Sequence, residues 1–222
     1  MGVYGGSFDP VHLGHLRTAL EVQQLLRLDQ IRFLPSGQPP HRDAPEATDE
    51  LRLRMLTAAI GDQPGFTVDP REMRRDGPSY TVTTLESLRA DFPETSFALI
   101  VGMDAFLGLP DWHRWSELFE LAHLVVAHRP GWQPPTSGPL GELLAARCSD
   151  DPQTFLSGSG RIYVHAVTAL DIASSEIRAA AGLGQSIRYL VPDSVRAIIL
   201  DSGCYQPATR SIVNSGGLLS AK

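Results

Sequence analysis

Two histidines three positions apart, His12 and His15, with Gly14 between them, are the residues whose types and spacing point most directly to chemistry. They close the stretch Gly5-Gly6-Ser7-Phe8-Asp9-Pro10-Val11-His12-Leu13-Gly14-His15-Leu16. Glycines in a strand-to-helix turn let the backbone approach a ligand closely. The helix that follows turns its free N–H groups and positive dipole end back on that turn, which makes an anion site. With both imidazoles on the turn or the first helical turn, both reach one phosphate. A metal pair is the other use of His-x-x-His, but no cysteine or further histidine follows at ligand spacing. A Gly-Gly pair alone would be no more than a tight turn.

A second constellation is Asp171-Ile172-Ala173-Ser174-Ser175-Glu176-Ile177-Arg178. Ser174 or Ser175 is expected to cap a helix, with Glu176 in its first turn. Capping does not account for Arg178, one turn further along the same face. Hydroxyls, free N–H groups and an arginine at one helix start make a second anion site. Between the two lie single candidates, each with two readings. His41 and Arg42, in the loop 36–48, are solvated or meet the phosphate of a second substrate under a closing lid. Thr81 caps a helix or touches a ligand. Gly102 and Asp104 follow a strand end, where Asp104 caps a helix or accepts from ribose hydroxyls. Trp112 packs, or stacks on a planar ring. Arg129 is a surface arginine or a phosphate contact.

These residues need a scaffold, and the hydrophobic patterning supplies one. Met1–Tyr4 reads as a strand, Leu16–Leu26 as a helix and Asp29–Pro35 as a second strand. Strand, helix and strand in so few residues form a βαβ unit, hence a parallel sheet with a right-handed crossover. A helix is expected over Asp49–Ile60, capped by Thr48 or Asp49, then a strand at Phe66–Asp69 and a helix ending near Ala90, capped by Ser79. Ser96–Val101 reads as a buried strand, Trp115–Ala122 as a helix and His123–His128 as a strand. Leu140–Arg147 reads as a short helix, and Arg161–His165 as a sixth strand, central enough to be half-buried. A last helix is expected over Asp193–Ser202, with Pro192 near its start and Gly203 past its end. The fold class is α/β, a Rossmann-like doubly wound parallel sheet flanked by helices, with a small C-terminal helical part. Residues 1–205 form one domain, and 206–222 a tail.

Composition narrows the function classes. The chain has 222 residues, 42 % of them hydrophobic, and a net charge of −6. An acidic balance argues against general nucleic-acid binding, which needs a basic footprint. Cys148 and Cys204 form no motif, so a reducing cytoplasm is the expected setting. No apolar run approaches membrane-spanning length. The oligomeric state is left open, a homo-oligomer included.

Taken together the motifs resemble those of the His-x-Gly-His nucleotidyltransferases, and among them the bacterial nicotinate-nucleotide adenylyltransferases. The likeness runs from Gly2 to Tyr205 and rests on Gly5–Leu16, Pro35–Arg42, Gly77–Leu85, Gly102–Trp112, Ala127–Gly131, Ile172–Arg178 and Tyr189–Pro192. The resemblance implies transfer of the adenylyl group of ATP to nicotinate mononucleotide, with Mg²⁺ accompanying ATP and no protein metal cage. It implies that His12 and His15 hold ATP phosphates near Gly6 and Ser7, and that Ser174, Ser175 and Arg178 grip the β- and γ-phosphates. Gly102 and Asp104 would meet adenosine. Trp112 would stack on the nicotinate ring, Thr81 and nearby amides would read its carboxylate, and His41 and Arg129 would serve the mononucleotide. Ser7 stands where the family often has Thr, and Arg42 where Lys is frequent. The usual Ile-Ser-x-Thr is Ile172-Ala173-Ser174-Ser175, which leaves open which hydroxyl bonds phosphate. Nicotinamide mononucleotide or phosphopantetheine adenylyltransferase, and a non-catalytic nucleotide-binding regulator, are the alternatives.

Overall fold

The structure is a computed structural model, and it describes residues 1–39, 44–128, 132–152, 154–158, 160–168 and 170–206. Among these residues six strands form one sheet: β1 (Gly2–Gly6), β2 (Ile31–Pro35), β3 (Phe66–Val68), β4 (Ala98–Gly102), β5 (His123–His128) and β6 (Ile162–Ala166). Their order is β3-β2-β1-β4-β5-β6, and every neighbouring pair is parallel. The order reverses between β1 and β4. Open α/β sheets bind ligands outside the carboxyl ends of the strands at such a point.

Among the described residues there are eight α-helices, six between strands and two after the last: α1 (Leu13–Leu25), α2 (Asp49–Ile60), α3 (Thr81–Asp91), α4 (Met103–Leu107), α5 (Leu118–Leu121), α6 (Gly138–Arg147), α7 (Ser174–Gly182) and α8 (Asp193–Ser202). They cover both faces, so the strands alternate between two cores. Ile31, Phe33, Ile100 and Val125 pack on one side with residues of α1, α2, α7 and α8. Val3, Leu34, Leu99, Val101 and Val126 pack on the other with residues of α3, α5 and α6. Burial on both faces explains the unbroken apolar run of β4. No helix among the described residues is long and apolar enough to cross a membrane.

Where local chemistry sets a boundary, the expected elements stand. Thr48 caps α2 by accepting from the Leu51 N–H at 3.3 Å, and Gly203 ends α8 in the left-handed region at φ 64°. Elsewhere the fold departs from expectation. Helix α1 begins at Leu13 rather than Leu16, with His12 as its N-cap. Ser79 does not cap α3; Tyr80 takes the N-cap position, because the Ser79 hydroxyl is engaged by the backbone of residues 37 and 38. The segment 115–122 splits into a 3-10 turn at Trp115–Glu117 and the short α5. Strand β6 is half-buried as expected, but it stands at the edge of the sheet and is not central.

Candidate active site

At the carboxyl end of β1 the chain makes its first sharp turn. Gly6 accepts the Phe8 ring close to its Cα; a Cβ there would lie 3.3 Å from that ring. Phe8 itself has φ 46°, a left-handed conformation uncommon for a bulky residue. Its complete burial offsets that cost, and its ring meets His15 edge-on at 5.1 Å and Phe33 at 5.9 Å. Phe8 is therefore the wall against which His15 is set.

The two imidazoles lie together, ring centroids 3.7 Å apart and nearly parallel. The N–H of His12 donates to Nδ1 of His15 at 3.3 Å, the N-cap to N3 contact of the helix. An accepting Nδ1 leaves the proton of the neutral ring on Nε2, the form that can donate to a phosphate oxygen. Gly14 is required by close approach: a Cβ there would lie 3.0 Å from Nδ1 of His12. The sequence spacing His-x-Gly-His is thus a packing statement, one ring lying over the glycine and the other over the first ring.

The second constellation docks on this turn. The Ser174 hydroxyl donates to the Pro10 carbonyl at 2.9 Å, and Nη1 of Arg178 donates to the Asp9 carbonyl at 2.9 Å. Nε of Arg178 pairs with the Glu46 carboxylate. Arg178 and the histidines thus sit on the same turn, although more than 160 residues separate Ser174 from Pro10. The expected serine cap is absent: Ala173 is the N-cap of α7 and provides no side-chain bond, because Ser174 is turned to Pro10. Ser175 is exposed at the first turn, beside N–H groups without a capping side chain.

Asp9, which the sequence reading passed over, locks the turn. Its carboxylate is buried and accepts from the Glu46 N–H at 2.8 Å, the Ala47 N–H at 3.2 Å and the Tyr205 hydroxyl at 2.7 Å. Burial, and then the contact with Asp9, push the Tyr205 hydroxyl well above its ordinary titration range. The wide spacing of these partners left no local signal.

A second rim continues from the same turn. Ser36 donates its N–H to the Gly6 carbonyl at 2.9 Å, tying the ends of β1 and β2. The Ser79 hydroxyl accepts from the N–H groups of Gly37 at 3.0 Å and Gln38 at 3.2 Å. Tyr80 stacks against His113 at 4.3 Å, beside Trp112, and both Tyr80 and Trp112 pack half-buried on the second core. Thr81 opens α3 next to Tyr80. The structure therefore brings Thr81 and Trp112 to one rim. Beneath it Glu72 is buried, accepting from the Thr84 hydroxyl at 2.7 Å. Burial pushes its carboxyl above the ordinary value, and the Thr84 bond only partly offsets this.

Gly102 ends β4 and is the N-cap of α4, with an exposed Asp104 in the helix's first turn. The β1–β4 register pairs Tyr4 with Ile100, so Gly6 and Gly102 lie level across the sheet's switch point. His41, Arg42 and Arg129 lie outside the described residues, as does the tail from 207 onward. Among the described residues Gly6, Ser7, His12 and His15 lie on one turn and the helix start that follows it, and α7 docks on that turn through Ser174 and Arg178, with Ser175 exposed at its first turn. Gly102 and Asp104 stand at the adjoining strand end, and Thr81 and Trp112 on the neighbouring rim.

Comparison with known proteins bears on the family and the fold. A family model described as cytidylyltransferase-like matches residues 3–180. A protein of Methylococcus capsulatus named as a probable nicotinate-nucleotide adenylyltransferase is 48 % identical over 207 residues, covering 92 % of this chain and 99 % of its own. One of the same name from Pseudomonas syringae pv. tomato is 47 % identical over 207 residues, covering 93 % of each chain. Among solved structures, the Plasmodium falciparum nicotinic acid mononucleotide adenylyltransferase complexed with NaAD superposes with a TM-score of 0.70 at 16 % identity, over 92 % of this chain and 96 % of that one. At that identity the superposition speaks for the fold.

Proposed function

We propose that this chain, which belongs to the cytidylyltransferase-like family and within it to the nicotinate-nucleotide adenylyltransferases, transfers the adenylyl group of ATP to nicotinate mononucleotide. The products are nicotinate adenine dinucleotide and pyrophosphate, a step of NAD biosynthesis. A phosphate oxygen of the mononucleotide attacks the α-phosphorus, and the bond to the β-phosphate bridging oxygen breaks. The nucleophile is already ionised, so no strong base and no covalent enzyme intermediate are needed. The protein's part is alignment and charge neutralisation.

One observation carries this reading: the imidazoles of His12 and His15 and the α7 start with Arg178 meet on a single turn. His12 and His15 take ATP phosphate oxygens, aided by Gly6 and Ser7. Ser175 and the free N–H groups of α7, with Arg178, take the β- and γ-phosphates, while Ser174 holds α7 against the turn. Gly102 and Asp104 face the adenosine. Thr81 and Trp112 receive the nicotinate, the indole by stacking, and His41 and Arg129 serve the mononucleotide phosphate.

A divalent cation, Mg²⁺ with ATP, suits this donor set as an ion borne by phosphate oxygens and water. Asp9 has both carboxylate oxygens committed to protein donors, and Asp104 is the exposed carboxylate at the strand ends. When bound, the ion would withdraw charge from the transferring group. Residues 1–205 work as one domain around the sheet. The enzyme acts in the cytoplasm, in keeping with the free thiols of Cys148 and Cys204.

The test is pyrophosphate release by purified protein with ATP, Mg²⁺ and either nicotinate or nicotinamide mononucleotide. Release with the acid form in clear excess over the amide is expected. No release with either would refute the reading, and a preference for the amide would reassign the substrate.

A further inference from the structure

The side chain of Arg52, on α2, is completely buried, 0 % exposed, and is the largest side chain so enclosed among the described residues. Its helical spacing sets it on the same buried face as Met55, Leu56 and Ile60, where a cation costs stability that an apolar side chain would not. Its contacts account for its presence. Nη1 donates to the Ser7 carbonyl at 2.7 Å and Nη2 to the Ser36 carbonyl at 2.7 Å, and Nη2 also pairs with the half-exposed Asp49 carboxylate. Ser7 lies in the turn after β1 that carries the histidines. Ser36 follows β2 and leads into the segment held by Ser79.

We infer that Arg52 is a positioning residue that sets the spacing between the ATP turn and the mononucleotide rim, an inference that rests on the function proposed above. One planar guanidinium bridges the two carbonyls, and its rigid fork fixes the distance between them. A lysine ammonium is a point donor on a flexible stem and cannot hold both carbonyls at that spacing. Because adenylyl transfer is in line, an error in this spacing damages the approach of the two substrates more than the grip on either one.

Arg52→Lys and Asp49→Asn test this. For Arg52→Lys, kcat falls about 30-fold or more while the KM for each substrate stays within about threefold. Asp49→Asn leaves the guanidinium in place but loosens it, and lowers kcat in the same direction by a smaller factor. Amide hydrogen exchange, which needs no substrate, rises at Ser7–Asp9 and Ser36–Gln38 in both variants and stays unchanged in β4 and α8. An Arg52→Lys enzyme with kcat within twofold of wild type would overturn the inference. So would a loss appearing in one KM alone, or a rise in exchange spread evenly through the sheet, which would make Arg52 an ordinary core prop. Failure of the proposed activity is seen separately, in the wild-type assay, and leaves the exchange result to judge Arg52.

Discussion

Replacing Tyr205 with Phe removes one hydroxyl from a buried network and little else. The ring of Tyr205 is 6 % exposed, and its hydroxyl donates to Oδ1 of Asp9 at 2.7 Å. Phe keeps the ring's packing, so the loss is a single hydrogen bond to a buried carboxylate, worth about 1.5–3 kcal/mol. The larger cost of an abandoned buried charge does not arise, because Asp9 still accepts from the Glu46 and Ala47 N–H groups. For a domain of this size 1 kcal/mol moves Tm by about 2–4 °C, so the variant should melt about 3–12 °C lower. The hydroxyl's titration lies above its ordinary value, through burial and then through Asp9. Such a group stabilises the fold below the unfolded phenol value and loses that contribution as pH rises past it. The gap between wild type and Tyr205→Phe is therefore full at pH 7 and narrows above the ordinary phenol value of 10.0. Calorimetry on both proteins, with Asp9→Asn and the double variant completing a cycle, measures the coupling directly. A Tyr205→Phe protein melting within 1 °C of wild type would refute the argument, about half the smallest shift expected per kcal/mol.

His15→Ala should lower turnover by about 100-fold or more with the circular-dichroism spectrum unchanged, since it removes a donor from the transferring phosphates; near-normal turnover would take His15 out of the mechanism. Trp112→Ala should raise the KM for the mononucleotide by roughly five- to a hundredfold, the worth of one ring stacked on an indole, and move that for ATP less. An effect confined to ATP would contradict the stacking. Glu72→Gln should gain stability relative to wild type as pH rises. Burial lifts the Glu72 carboxyl above its ordinary value of 4.5, so the folded wild type is favoured while Glu72 is protonated and loses stability on its ionisation at higher pH. A difference in Tm that does not change between pH 4.5 and 8 would show that Glu72 stays ionised without cost.

The parts of the fold legible in sequence are those whose causes are local. Thr48 and the run Leu51–Ile60 define α2 within a dozen residues, and Pro192 and Gly203 bracket α8. The His-x-Gly-His box is equally local, since His12, Gly14 and His15 pack on one another. What stayed hidden depends on partners far along the chain. Ser79 and Ser174 have the right type and place for caps, yet their hydroxyls meet Gly37 and Gln38 in one case and Pro10 in the other. Nothing near them in sequence announces those partners. Arg52 shares the buried face of α2 with Met55 and Leu56, and only the two converging strand ends explain an arginine there. The edge position of β6 follows from the order of the whole sheet, which no single strand encodes.

The same contrast explains how a glycine-rich turn becomes precise enough for the phosphate site proposed on it. Gly5 and Gly6 allow the close approach, but their freedom would leave the turn soft. Stiffness comes from outside it. Asp9 draws in the lead to α2 and the C-terminal Tyr205, its backbone carbonyl holds Arg178, and Pro10 holds Ser174. Arg52 braces Ser7 from beneath. Each lock joins segments remote in sequence, so the turn is rigid only once the whole domain has closed. Donors held in place before substrate arrives need no reorganisation during the reaction, and that is how a fixed set of dipoles lowers its barrier. Of these contacts, the Arg178–Glu46 pair is the most exposed, with Glu46 55 % accessible, and exposed pairs hold weakly. In the proposed complex a triphosphate would displace Glu46 from Nε at little cost while Nη1 kept its hold on the Asp9 carbonyl, so that the arginine would change partners without leaving its place.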